Sequence, residues 1–342
     1  MSVEPLIEEA ALDRVGAPLD AMTTPTGDAK KVDTRHKSPT QIALARLRKD
    51  KVAMICLGIF LFFLVIAIFA PLLTKIEGQD TTTLHQDLLD EYGFPTIGAT
   101  SEHWFGIEPR LGRDLFARFV YGARPSLIVA ISVTLITGVV GVVMGLLSGF
   151  IGGWVDRVIS WIIDFVLSLP YLLFAIAVPA VILTLFTADA STAGTSEVTK
   201  ARFFSLILVL SFFGWASLAR LIRGEVLSLR EREFIAAAKV LGVPTRKVLT
   251  KELLPNLVAP IIISTSLALP TYIVAEAGLT FLGVGLVEPT PSWGLTIANA
   301  TVYYRADPLY LWLPVIAISI LVLALSLLGD SIRDAFDPRT RR

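Results

Sequence analysis

Six apolar runs alternate with polar segments along the chain, at 52–73, 125–150, 158–186, 203–222, 257–286 and 309–328. A helix needs ~20 apolar residues to cross ~30 Å of hydrocarbon, and every run is long enough. Lipid offers no hydrogen-bond partner to a backbone, so each run is expected to be helical. The pattern predicts an all-α, polytopic membrane protein with six transmembrane helices. Pro170 and Pro179 should kink the third span. Pro260, Pro270 and Glu276 predict a fifth span that bends or breaks near one end. Gly138, Gly141, Gly145 and Gly149 recur about once per turn of the second span, a spacing that lets a neighbouring helix approach closely in lipid.

The polar segments set an orientation. Residues 1–37 mix Thr, Pro, Asp, Gly and Lys with no apolar period and read as a disordered tail. Residues 38–51 open on Ser38-Pro39, a helix-start pair, and continue as a short basic amphipathic helix suited to the membrane surface. The loop 223–256 carries Arg223, Arg230, Arg232, Lys239, Arg246, Lys247 and Lys251, which places it on the cytoplasmic side. In 74–124 acids outnumber bases, 187–202 is rich in Thr and Ser, and 288–307 holds Pro, Trp and Tyr. All three are expected outside. Both termini are then cytoplasmic, with Arg333, Arg339, Arg341 and Arg342 in the last segment.

Within the basic loop, 233–241 reads as a helix, with Glu233 in its first turn and Ala236, Ala237 and Ala238 in a row. Gly242 stands where a left-handed cap belongs. Val243 precedes a proline and is pushed out of the helical region, and Pro244 is placed to open a second helix. That helix runs on to Leu254, where Pro255 is expected to kink or end it. The product is two short helices joined at a sharp corner. Small alanines on such a corner let another surface approach closely, and Arg232 and Glu233 can fix its register.

Composition agrees with the hydropathy pattern. Of 342 residues, 54% are hydrophobic and 18% charged, with a mean hydropathy of +0.68. Soluble domains are nearer a quarter charged. Cys56, the single cysteine, excludes a disulfide within the chain, and the first apolar run starts too late for a secretory signal. The chain has no phosphate-binding loop of the G-x-x-x-x-G-K-S/T type and no H-E-x-x-H. His36, His85 and His103 lie scattered in polar segments. No catalytic or metal site is expected, and nothing points to nucleic acid. Asp164 and Glu276 fall inside apolar runs, where ionisable groups are expensive. They read either as a proton relay or as structural groups, paired with a nearby arginine or placed at the membrane interface. Ser264, Ser266 and Thr271 could line a pathway or bond back to their own helix.

Ala236-Ala237-Ala238, Gly242 and Leu254-Pro255 resemble the "EAA" loop of bacterial ABC-transporter permeases. Ala236 stands where that family usually has Glu, and Glu252 where it has an apolar residue. The run from Arg223 to Glu233 resembles the C-type subunit of dipeptide and oligopeptide importers. So do His103-Trp104-Phe105-Gly106, Gly112-Arg113-Asp114, Gly152-Gly153-Trp154-Val155-Asp156, Pro289-Thr290-Pro291-Ser292-Trp293-Gly294 and Leu328-Gly329-Asp330. The resemblance implies a type I ABC importer permease fold in the bacterial plasma membrane. It implies a second homologous permease, two cytoplasmic ATPase subunits that bind ATP and Mg, and an external binding protein, with no cofactor in this chain. The corner would be the ATPase-coupling loop. The outer loop with His103, Trp104, Arg113 and Asp114 would receive the binding protein or seal the outer mouth, or else pack on itself and only order the first two spans. Short peptides are the implied substrate; close relatives carry nickel, glutathione or oligosaccharides. A rival reading is an ion-coupled secondary transporter or channel that uses Asp164 and Glu276 directly.

Overall fold

Asp50 opens the first long helix. Its side chain accepts hydrogen bonds from the N–H groups of Val52 and Ala53, and Gly78 closes the helix in a left-handed conformation (φ 88°). The computed structural model describes residues 39–186 and 195–337; the expectations for 1–37, for 187–194 and for Arg339, Arg341 and Arg342 lie outside them. The elements are α1 (Pro39–Leu47), α2 (Lys51–Glu77), α3 (Leu115–Ile151), α4 (Gly153–Ser168), α5 (Tyr171–Phe186), α6 (Thr195–Arg230), α7 (Glu233–Val240) and α8 (Thr245–Lys247). A π-helical turn, Val248–Leu253, leads from α8 into α9 (Leu254–Phe281), followed by α10 (Trp293–Ala300) and α11 (Pro308–Phe336). Among the described residues 5 helices are long and apolar enough to cross a membrane, and 6 if the bent pair α4 and α5 counts as one span.

Five features differ from expectation, each for a local reason. The second span begins well before 125. Asp114 caps α3 by accepting from the Ala117 N–H at 2.6 Å, and Pro125 lies inside the helix. Arg118, which makes this stretch look like loop, is fully buried against carboxylates. The third span is broken rather than kinked. Leu169, held extended (φ −74°, ψ 137°) before Pro170, turns the chain so that α4 and α5 meet at 91°. Pro179 remains inside α5.

In the fifth span, Pro260 and Pro270 are accommodated within α9, which stops at Phe281. A turn at Gly283 (φ 80°) follows, so the span does not reach 286. Pro255 does not end its helix. It sits in the first turn of α9, just after the π turn, where the Leu254 N–H bonds to the Leu249 carbonyl. The wider π turn absorbs the bond that proline cannot make. Finally, the segment 288–307 contains α10, capped by the Ser292 hydroxyl accepting from the Leu295 N–H at 3.1 Å.

The glycine ridge of α3 packs as its spacing implies, and its neighbour is α6. An added Cβ at Gly141, Gly145 or Gly149 would meet Leu218, Ile222 or Val226 at 2.9, 2.7 and 2.7 Å. Trp293 of α10 is fully buried and fastens the other end of the bundle. Its indole Nε1–H donates to the Phe119 carbonyl at 2.9 Å, and its ring stacks on Phe119 and meets the edge of Phe63. In α1, Ala43 turns inward, and Arg46 reaches the carbonyls of Ala335 and Asp337 at the end of α11. A cation on the last carbonyls of a helix suits its dipole.

Candidate functional site

The corner forms at one end of the bundle. Gly242 has φ +69°, and the Val243 N–H bonds to the Ala238 carbonyl at 3.0 Å. This is the six-to-one bond of a Schellman cap. A Cβ at Gly242 would find nothing within 4 Å, so the backbone angle, not space, demands glycine. Pro244 is the residue before α8 rather than its first member; its carbonyl accepts from Lys247 and Val248. Ile235 is fully buried with Val248, Leu253 and Leu257 against Ile222 and Val226 of α6. That cluster pins the corner to the long helices.

Outside the cluster, Arg232, Glu233, Ala236, Ala237, Gly242, Pro244 and Pro255 are exposed, while Ala238 and Leu254 are half-buried. Phe234, Val240 and Leu241 are exposed as well, Val240 by 88% and Leu241 by 81%. These three were not singled out from the sequence, although all three are large apolar residues flanking the alanines. The result is a small apolar lip on a basic end.

The intramembrane polar groups are separate. Glu276 is fully buried on α9 and accepts from the Ser126 hydroxyl at 2.6 Å and the Thr280 hydroxyl at 3.0 Å. Asp164 on α4 pairs with Arg220 on α6 at 2.5 Å. Nearer the corner, Arg223 makes two bonds to Asp156, at 2.6 and 2.9 Å, and Arg230 donates to the Gly149 carbonyl. Of the expected pathway residues on α9, Ser266 and Thr271 bond back to the carbonyls of Ile263 and Leu267, and Ser264 is half-buried.

At the opposite end a charge network, buried except at Glu288, whose side chain is 38% exposed, straps the loops to the spans. Arg113 bonds Glu108 and makes two further bonds to Glu288, at 2.7 and 3.0 Å. Arg118 reaches Glu288 at 2.8 Å and Glu108 at 3.3 Å, and the Tyr310 hydroxyl donates to Glu108 at 3.0 Å. Beside it His103 Nδ1 meets Asp114 at 2.9 Å, and the Glu77 carboxylate accepts from the Trp104 N–H at 2.8 Å. His103, Arg113 and Asp114, expected on a contact surface, are therefore internal, at 3%, 6% and 0% exposure. Buried charges must neutralise one another, and here they do so by closing the loop on itself. Trp104 alone of the four offers surface, 39% exposed and packed on Phe116. Glu108, Arg118, Glu288 and Tyr310 were missed. Glu108 lies close to Arg113 in sequence, but the partners Glu288 and Tyr310 come from distant segments.

Burial pushes the Glu288 carboxyl up, but the Arg113 hydrogen bonds and the charges of Arg118 and Arg113 outweigh it and hold it below the usual carboxylate range. A depressed folded value stabilises the strap above the unfolded value, about 4.3, and that contribution is lost as pH falls further. The protection of amides in 282–292 against hydrogen exchange, relative to the free-chain rate at each pH, is expected to fall below about pH 4, and Glu288→Gln should abolish that pH step. A step of equal size in Glu288→Gln would assign it to another carboxyl.

The fold and its polar end-structures define a polytopic helical membrane protein with an exposed two-helix corner at one end and loops strapped by charge pairs at the other. The family model for the inner membrane component of binding-protein-dependent transport systems matches residues 141–342, and that for the N-terminal transmembrane domain of oligopeptide transport permease C matches 38–89. The chain is 32% identical over 316 residues to the oligopeptide transport system permease protein OppC of Bacillus subtilis (strain 168), covering 92% of this chain and 95% of that one. It is 36% identical to the dipeptide transport system permease protein DppC of Alkalihalophilus pseudofirmus, over 89% of this chain and 91% of that one. It is 33% identical to the glutathione transport system permease protein GsiD of Salmonella typhimurium, over 89% and 92%. Among solved structures, the MetNI methionine ABC transporter in inward-facing conformations aligns with a TM-score of 0.47 and 18% identity, covering 64% of this chain and 96% of that one. The chain belongs to the family of ABC-importer permeases that form the inner-membrane component of binding-protein-dependent transport systems.

Proposed function

We propose that this chain is one permease subunit of an importer for short peptides. It would work with a second homologous permease, two cytoplasmic ATPase subunits that bind ATP and Mg, and an external binding protein. The observation that carries the reading is the corner: α7 and α8 held by a glycine-capped turn, pinned through Ile235, with the exposed lip of Phe234, Val240 and Leu241 beside Ala236 and Ala237. An apolar lip on an otherwise basic, water-facing end is a surface that gains by being covered. Peptide as substrate is supported by the dipeptide and oligopeptide permeases among its relatives.

Gly242→Val tests the coupling role. A β-branched residue at a left-handed position is stiff as well as strained, by about 1–2 kcal/mol. α8 would tilt away from α7 and carry the lip out of register. The variant is expected to insert normally yet lose most ATPase binding and substrate-stimulated hydrolysis, measured on complexes in lipid. Ala236→Glu, at an exposed position, should be tolerated. Full binding and stimulation in Gly242→Val would reduce the corner to a topological connector.

In this reading the corner and both termini face the cytoplasm and the strapped loops face out. In a Cys56→Ser background, Tyr92→Cys and Val302→Cys, at positions 84% and 80% exposed, should react with an impermeant thiol reagent in intact cells. Lys247→Cys should not; its labelling would invert the topology. Trp104→Ala, which trims the exposed ring of the loop, is expected to weaken transport while sparing basal ATP hydrolysis. Unchanged transport at normal expression would remove Trp104 from the binding-protein contact.

A further inference from the structure

The Asp164–Arg220 pair is out of place on a lipid-facing surface. Its side chains are 69% and 55% exposed, yet Arg220 lies roughly three turns before the end of α6, within the membrane-spanning stretch. Charges exposed to hydrocarbon are expensive, so this face meets water or protein rather than lipid. The neighbouring pair is built differently. Arg223 and Asp156 are 32% and 22% exposed and joined by two bonds, with Ser160 donating a third to the carboxylate at 3.1 Å. That pair is closed. Arg220, by contrast, commits only Nη2 to Asp164 Oδ1. Among the described residues its Nε and Nη1, and Asp164 Oδ2, make no bond. Each residue therefore presents one open edge, of opposite sign. Beside them Trp161 and Phe165 stack in parallel at 5.7 Å, exposed by 65% and 49%.

From this geometry we infer that Asp164 and Arg220 form a substrate subsite in the half of the route nearer the corner, one that takes the charged ends of linear peptides. The free edge of the guanidinium donates to the terminal carboxylate, and Asp164 Oδ2 accepts from a terminal ammonium. The Trp161–Phe165 wall offers apolar surface to a side chain. An extended tripeptide spans roughly 10 Å between its ends, so the open edges take one end of a peptide at a time while the pair's own bond stays closed. This inference rests on the peptide reading given above.

The test uses the complete transporter, with binding protein and ATPases, in proteoliposomes. Uptake is measured for a tripeptide, its C-terminal amide and its N-acetyl form, and the rates are compared as ratios. The binding protein is common to all samples, so its own preference cancels between wild type and variant. Arg220→Gln is expected to lower the acid-to-amide ratio about tenfold, the loss of one charge-assisted pairing. Asp164→Asn should leave that ratio high and lower the preference for a free amine instead. Equal scaling of all three peptides by both variants would make the pair a structural brace and overturn the subsite.

A second measurement leaves the pair intact. Ser217, exposed one turn from Arg220, is changed in Ser217→Cys on a Cys56→Ser background. A water-borne anionic thiol reagent should label it, more slowly with free tripeptide present and no more slowly with the amide. Absent labelling, or labelling indifferent to peptide, would also overturn the subsite. A wild-type complex that takes up none of the peptides would defeat the peptide reading itself; uptake with unaltered ratios defeats only the subsite.

Discussion

Gly145→Val is expected to part α3 from α6 and to leave little correctly folded protein. A Cβ at Gly145 would stand 2.7 Å from the Ile222 Cβ and 2.8 Å from the Ala219 carbonyl oxygen. The second contact is with backbone, which cannot rotate aside. Overpacking a tight seam costs about 1–3 kcal/mol, more where backbone must move, and a membrane seam has no hydrophobic term to offset it. Position 138 supplies the control. Its nearest neighbour is the Thr265 methyl at 3.5 Å, an ordinary contact. Gly138→Ala should be neutral or slightly stabilising, because alanine is the better helix former by about 0.8–1.0 kcal/mol. Gly145→Ala should destabilise although it adds the same methyl. Thermal midpoints of the detergent-solubilised protein, read by size-exclusion chromatography, separate the cases. Equal midpoints for the two alanine variants would show that α3 and α6 are not packed as closely as described.

Arg118→Leu should release the strap. Arg118 is fully buried and shares both carboxylates of the network, Glu108 and Glu288. Removing it leaves Arg113 alone against two acids. Breaking a buried charge arrangement on one side costs about 3–5 kcal/mol, far more than an exposed pair at about 0–1 kcal/mol. Hydrogen exchange should rise together in 103–114 and 282–292, segments the network ties across the bundle. The double variant Arg118→Leu, Glu288→Leu should recover much of the loss, since it removes a charge of each sign. Additive destabilisation in the double variant would mean that the two residues do not share a network, and would return the loop to a set of independent contacts.

What could be read from the chain alone followed from local physics. Apolar run length gave the spans, because hydrocarbon forces every backbone bond inside the segment. The glycine spacing announced a close helix seam, and Gly242 before Val243-Pro244 announced a capped corner, because φ preferences act within a few residues. Which helix would fill the glycine groove was not legible: Leu218, Ile222 and Val226 look like any apolar turn until α6 lies against α3.

The polar residues divide along the same line. Asp164 and Glu276 were visible as charges in apolar runs, but only the fold assigned Arg220 to one and the Ser126 and Thr280 hydroxyls to the other. His103, Arg113 and Asp114 were expected at a binding-protein contact in the outer loop. They are inside because Glu108, Glu288 and Tyr310 arrive from three separate places to satisfy the cluster. Sequence by itself determined that the apolar runs are helical, which end is basic and that the chain turns at Gly242, but not that α3 starts at Leu115 or that α10 forms. Tertiary structure decided which charges are buried and with whom, because hydrogen-bond satisfaction is settled by contact across the fold and not by neighbours along the chain.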